Sequence, residues 1–134
     1  MKQCMKFLYH WAPPIFLMGI IFFLSSHTRL TLSGQSQTDF LFFKMGHLIE
    51  YAILYFLIFR ALFSLKPNQK FQTNLAIKAL IIAVLYAFSD EFHQTFVPTR
   101  EGAFRDVMID SLGICIMLSY IKYNISVLKK TIWI

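Results

Sequence analysis

Four long apolar stretches, roughly 7–25, 47–65, 75–97 and 107–127, alternate with short polar segments along the chain. Each is long enough, at about 1.5 Å per residue in a helix, to cross a hydrocarbon layer of about 30 Å. The acidic positions that interrupt this pattern are not scattered. Glu50 sits just inside the second stretch, Asp90 and Glu91 lie inside the third, and Asp106 and Asp110 open the fourth. Asp39 and Glu101 lie in the adjoining polar segments. Chain direction reverses from one span to the next, so the start of the second, the end of the third and the start of the fourth share a side. The pattern therefore predicts an all-α membrane bundle of four transmembrane helices with every acidic residue near one end. Ionisable groups at membrane depth are costly and mark a functional site by default.

Length locates the acidic pair of the third stretch. A helix leaving the membrane at Phe88 would cover only about 21 Å over residues 75–88. Continuing to Val97, where Pro98 disfavours further helix, restores the span and leaves Asp90 and Glu91 about 10 Å below its end. The expectation is that both carboxylates face a wet cavity lined by protein. Of the connections, 26–46 is rich in Ser, Thr and Gln and reads as irregular or short amphipathic structure. Residues 66–74 and 98–106 read as the other two loops. No internal repeat or appended soluble segment is visible, so residues 1–134 are one domain.

Composition strengthens the membrane reading. Hydrophobic residues make up 57% of the chain and charged ones 15%, and the apolar stretches lack the polar outer face that a soluble bundle needs. A net charge of +6 would suggest nucleic acid in a soluble protein, but its placement gives a topology instead. With the N-terminus cytoplasmic, nine of the 13 Lys and Arg residues fall inside and four (Arg29, Lys44, Arg100 and Arg105) outside. The prediction is N-in and C-in, with no nucleic-acid partner. Arg60 and Lys78 then lie near cytoplasmic helix ends, where long side chains snorkel to the interface. The first stretch has a basic start but no Ala-x-Ala-like cleavage site, so it reads as a retained anchor. Pro13 and Pro14 either begin its regular helix or kink it. Cys4 and Cys115 fall at different depths and predict no disulfide.

Helical spacing groups the polar residues into faces. Lys44, His47, Glu50, Tyr51 and Leu54 share one side of the second helix and its approach. Tyr86, Asp90, His93 and Gln94 form a stripe on the third, and Asp106, Asp110, Gly113 and Met117 line up on the fourth. Gly113 would let a neighbouring helix come close. With Arg100 and Arg105 from the last loop, these faces can enclose one polar pocket.

The same residues carry a resemblance. Lys44, His47, Glu50 and Tyr51 form a K-x-x-H-x-x-E-Y run, and Ser89, Asp90, Glu91, Gln94, Phe96, Pro98 and Arg100 an S-D-E-x-x-Q-x-F-x-P-x-R run. Asp106 and Gly113 match D-x-x-x-N-x-x-G at the start of the last helix. Together these resemble the VanZ-like family of small bacterial membrane proteins, over roughly residues 40–125. Asp110 stands where that family usually has Asn, and Met117 replaces the second Gly of a G-x-x-x-G. The resemblance implies a multi-span inner-membrane protein whose namesake is associated with resistance to teicoplanin, a lipoglycopeptide that binds cell-wall precursors. It implies no settled reaction.

Four readings of the pocket differ in chemistry. A structural ion-pair network can fix helix register, at a desolvation cost that makes buried pairs poor stabilisers. A head-group site would use Arg100 and Arg105 as a fork for phosphate. Its carboxylates would meet hydroxyls and amines, and Phe92, Phe96 and Phe104 would line an acyl or isoprenoid groove. Ligands in that reading are membrane lipids, a lipid-linked wall precursor or a lipoglycopeptide. A membrane-embedded hydrolase or metalloenzyme would use His47, Glu50, Asp90 or Glu91, with His47, Glu50, Asp90 and His93 as a weak metal set. No H-E-x-x-H, G-x-S-x-G or phosphate loop is present, and Ser89 lacks an evident base. A proton-coupled transporter would need an oligomer, because the acids stop at one half of the membrane. The preferred reading is head-group recognition, with no cofactor.

Overall fold

A computed structural model of the chain describes residues 2–27, 36–65, 71–98, 100 and 102–132. It has four α-helices: α1 (Lys2–Ser25), α2 (Ser36–Leu65), α3 (Thr73–Gln94) and α4 (Phe104–Ile132). Segments within α1, α2 and α4 are long and apolar enough to cross a membrane. The 22-residue α3 carries Lys78, Asp90 and Glu91 and is not among them.

Contacts at matched heights show an up-down-up-down bundle. Tyr86 Oη donates to Met18 O at 2.6 Å, and two turns further Ser26 Oγ lies 3.0 Å from His93 Nε2, so α1 and α3 run parallel. Lys44 pairs with Asp106 and His47 faces Asp110, so α2 and α4 are parallel. The Arg60 guanidinium lies 4.9 Å above the ring of Tyr9, which makes α1 and α2 antiparallel. As expected, the end of α1, the start of α2, the end of α3 and the start of α4 come together at one acid-rich end.

α2 is the hub and packs against each of the other helices. Tyr51, Leu54, Tyr55, Ile58, Phe59 and Phe63 are essentially inaccessible along it. Opposite them α3 presents Ala76, Ala79, Ala83 and Ala87, all buried. Four alanines at a spacing of three and four residues form a smooth face, so the α3 backbone can lie close to large aromatic side chains. Tyr55 Oη reaches that backbone, donating to Ala76 O at 3.3 Å. α4 approaches α2 through Gly113, where any Cβ would collide with the Leu48 carbonyl. The close approach expected of this glycine is what the structure contains.

Three element boundaries differ from the sequence reading. α2 begins at Ser36, so residues 36–46 are helix and not loop. Its first turns bury Asp39 and Lys44, and the run Phe40–Leu41–Phe42–Phe43 contains no breaker to stop a helix. α3 ends at Gln94, three residues before Val97. There Thr95, Phe96 and Val97 donate to Phe92, His93 and Gln94, tightening the chain into i→i+3 turns ahead of Pro98. Pro13 and Pro14 lie inside α1 and do not begin it, so the carbonyls of Tyr9 and His10 lose their usual i+4 donors.

Candidate functional site

Two polar joints and a cavity occupy the acid-rich end. The first joint ties α3 to α1. Residues 14, 18, 21 and 25 share the inward face of α1, which brings Ser25 against α3. Ser25 Oγ donates to Asp90 Oδ1 and lies 2.7 Å from Ile21 O. Gln94 Nε2 donates to Asp90 Oδ2 at 3.0 Å and sits 3.4 Å from Glu91 Oε1. Glu91 Oε2 accepts the Ala103 N–H at 3.1 Å. Arg100 clasps the α1 end, donating from Nε to His27 O at 2.9 Å and from Nη2 to Leu24 O at 3.1 Å. Its Nη1 lies 3.4 Å from Gln94 Oε1. Gly102 lets the α3–α4 connection lie against Glu91 O, where a Cβ would collide.

The second joint is between α2 and α4. Lys44 and Asp106 form an ion pair with side chains 10% and 6% exposed. Asp110 is wholly buried, with His47 Nδ1 3.8 Å from its Oδ1. Neither Asp110 oxygen has a hydrogen-bond partner, nor do His47 Nδ1 and the buried Tyr51 hydroxyl. Such orphaned buried atoms are uncommon, and here they come from residues of the α2–α4 joint.

Between α1 and α2 lies a cavity of about 470 Å³. Ile21, Phe23, Leu24, Phe42 and Phe43 form its apolar walls, and Ser25, His27, His47, Glu50 and Arg100 its polar surface. Phe23, Leu24 and Phe42 are also exposed on the outside of the bundle, so the apolar wall continues onto the outer surface. Glu50 makes no hydrogen bond among the described residues, and the charges of Asp90 and Arg100 act on it from the adjoining joint.

The structure thus separates residues that helical spacing had grouped. Glu50, His47 and Arg100 line the cavity; Lys44, Tyr51, Asp106 and Asp110 lie in or beside the α2–α4 joint. Asp90 and Glu91, expected to face a wet cavity, are 2% and 5% exposed and are bonded within the protein. Gln94 belongs to the same joint. His93 turns to α1, 4.4 Å ring to ring from Phe22. Arg105 does not pair with Arg100 as a fork: its side chain is 69% exposed, beside Asp106. Phe92, Phe96 and Phe104 are exposed, and the aromatic wall is instead Phe23, Phe42 and Phe43. Ser89 is exposed and donates to Tyr86 O. The weak metal set divides between cavity, joint and α1 contact. Among the described residues no group of three His, Cys, Asp or Glu is placed to hold a metal ion.

Ser25, His27 and the Phe42–Phe43 pair were not singled out by sequence. Ser25 carried a signal in its inward register with Ile21; His27 and the phenylalanines acquire their place only from the path of the chain around α1.

No curated protein and no solved structure gives a significant match to the chain. The family model described as VanZ/LLP1 matches residues 10–126, a range that takes in α2, α3, both polar joints and the cavity. With the three motif runs in order inside that range, the chain belongs to the VanZ/LLP1 family.

Proposed function

We propose that the chain is a four-span protein of the bacterial cytoplasmic membrane, N-in and C-in, whose α1–α2 cavity receives the head group of an anionic lipid or lipid-linked cell-wall precursor. The observation that carries this reading is the cavity's composition: a few charged and polar residues, from α1, α2 and Arg100, among apolar walls continuous with the outside of the bundle. An acyl or isoprenoid chain suits the wall formed by Phe23, Phe42 and Phe43. Glu50 and His47 suit the hydroxyls and amines of a head group, and Arg100 adds positive charge for a phosphate. Arg100 already bonds the ends of α1 and α3, so it acts from a fixed position. By family membership, such recognition would bear on the response to a lipoglycopeptide such as teicoplanin. Partners are membrane lipids and no nucleic acid, and a homo-oligomer is compatible with this arrangement.

The test is binding of phosphatidylglycerol and of a lipid-linked wall precursor to protein in nanodiscs, compared at matched melting temperature. Glu50→Gln and Arg100→Lys should each weaken binding, and Arg105→Lys, at an exposed side chain, should not. Wild-type binding by both cavity variants would overturn the proposal.

One observation favours a second reading, a hydrolase acting on an envelope lipid. His47 lines the cavity and the Asp110 carboxylate lies 3.8 Å from its Nδ1, a gap that closing on substrate would turn into the hydrogen bond that orients an imidazole as a general base. Turnover of a lipid-linked substrate, abolished in His47→Gln while binding persists, would establish it.

A further inference from the structure

The opposite end of the bundle, where α1 begins and α2 ends, has the reverse chemistry. Arg60 stacks over Tyr9 at 4.9 Å, and Tyr9 and His10 meet edge to face with centroids 5.1 Å apart. Arg60 and Lys6 are close enough for their charges to act on His10. Three nitrogens in this neighbourhood, Arg60 Nε, His10 Nδ1 and Trp11 Nε1, are sealed from solvent without a hydrogen-bond partner. The terminal nitrogens of Arg60 are not sealed, so its fork has an open edge.

Nothing in the described chain neutralises this group. Of the seven acidic residues all but Glu101 are described, and those six lie at the other end, on α2 before Tyr51, on α3 after Ser89 and in the first two turns of α4. A guanidinium held partly out of water with no counter-charge is costly. Surface lysines and arginines avoid that cost by extending into water, but the stack on Tyr9 and the sealed Nε hold Arg60 against the bundle. Arg60 stands five residues before the last residue of α2, about 8 Å along the helix axis. In a membrane-spanning α2 a long side chain at that position can snorkel to the interface, where head-group phosphates lie.

We infer that Arg60, His10, Trp11 and Lys6 form a binding site for a phosphate group, supplied by an anionic phospholipid of the leaflet on the N-terminal side of the bundle. The guanidinium fork matches two phosphate oxygens, which a point-charge ammonium does not. Trp11 suits the interface with its apolar body. Lys6, which is exposed, adds long-range attraction. The site is distinct from the α1–α2 cavity and does not depend on what the cavity binds.

Native mass spectrometry of the detergent-purified protein tests this, with phosphatidylglycerol and phosphatidylcholine of identical acyl chains as probes. Wild type should retain phosphatidylglycerol in preference. Arg60→Gln should lower its retention about tenfold, the worth of one charge-assisted contact, and Arg60→Lys should restore it only in part. Lys6→Ala, at an exposed position that leaves packing intact, should lower it by a smaller factor. The effect of Arg60→Gln should persist in a Glu50→Gln background, in which the cavity at the other end holds lipid more weakly. Competition by millimolar inorganic phosphate supports the same site and identifies a soluble anion as an alternative source. Equal retention of the two lipids by wild type, or undiminished phosphatidylglycerol on folded Arg60→Gln and Lys6→Ala, overturns the proposal.

Discussion

Asp90 accepts hydrogen bonds from Ser25 and Gln94, whereas Asp110, with no exposed surface, has neither oxygen bonded. The two aspartates should therefore answer substitution with opposite signs. Asp90→Ala removes the carboxylate that ties Ser25 to Gln94, leaving their donors only Ile21 O and Glu91 Oε1, and should cost about 1–3 kcal/mol in reversible unfolding in detergent. Ser25→Ala should cost less, because Gln94 still serves the carboxylate, and the double variant should cost less than the two singles added. Asp110→Asn replaces a buried carboxyl group that no donor satisfies, so its unfolding midpoint should equal or exceed that of wild type. A fall as large as that of Asp90→Ala would show that the His47–Asp110 contact stabilises the fold. Sequence marked both residues as intramembrane acids. It could not tell them apart, because the difference lies in Ser25 and Gln94 reaching one and no donor reaching the other.

Helix faces were legible from spacing, and helix ends less so. Of the stripe Lys44, His47, Glu50, Tyr51 and Leu54, Lys44 and His47 turn towards α4 while Glu50 lines the cavity, and Gly113 does sit at the crossing, because side-chain direction follows from residue number once a segment is helical. The start of α2 was not legible: Ser, Thr and Gln between residues 35 and 38 read as loop by composition, while tertiary burial of Asp39 and Lys44 keeps the helix going. Two glycines mark where backbones touch. Gly113→Ala would drive a methyl into the Leu48 carbonyl, and Gly102→Ala one into the Glu91 carbonyl. Each should destabilise by about 1–3 kcal/mol, as overpacking does. Gly19→Ala is the control, since nothing lies within 4 Å of its added Cβ, and it should be neutral or slightly stabilising. Thermal unfolding of the three variants checks this, and a Gly113→Ala protein as stable as Gly19→Ala would mean that α4 has room to move away from α2.

At the scale of the molecule, reversal of chain direction at each loop was enough to gather the acids at one end, because four helices of similar length leave no other arrangement. What that reversal does not fix is the path of each connection. Arg100 and Arg105 are five residues apart in one loop-to-helix segment, yet one clasps the end of α1 beside the cavity and the other faces outward. The same asymmetry of charge supplies the last prediction, that the acid-rich end faces away from the cytoplasm. Nine of 13 basic residues fall on the opposite side, and such a bias sets the orientation of short-looped membrane proteins. In a background with Cys4 and Cys115 replaced by Ala, a membrane-impermeant maleimide applied to intact cells should label Ser36→Cys and Glu101→Cys. It should spare Asn68→Cys until the cells are opened. Gly102 is unsuitable as a reporter, because a side chain there would meet the Glu91 carbonyl and disturb the joint it reports on. Labelling of Asn68→Cys in intact cells would invert the protein in the membrane. The α1–α2 cavity would then open towards the inner leaflet, and a wall precursor on the outer surface could no longer be its ligand.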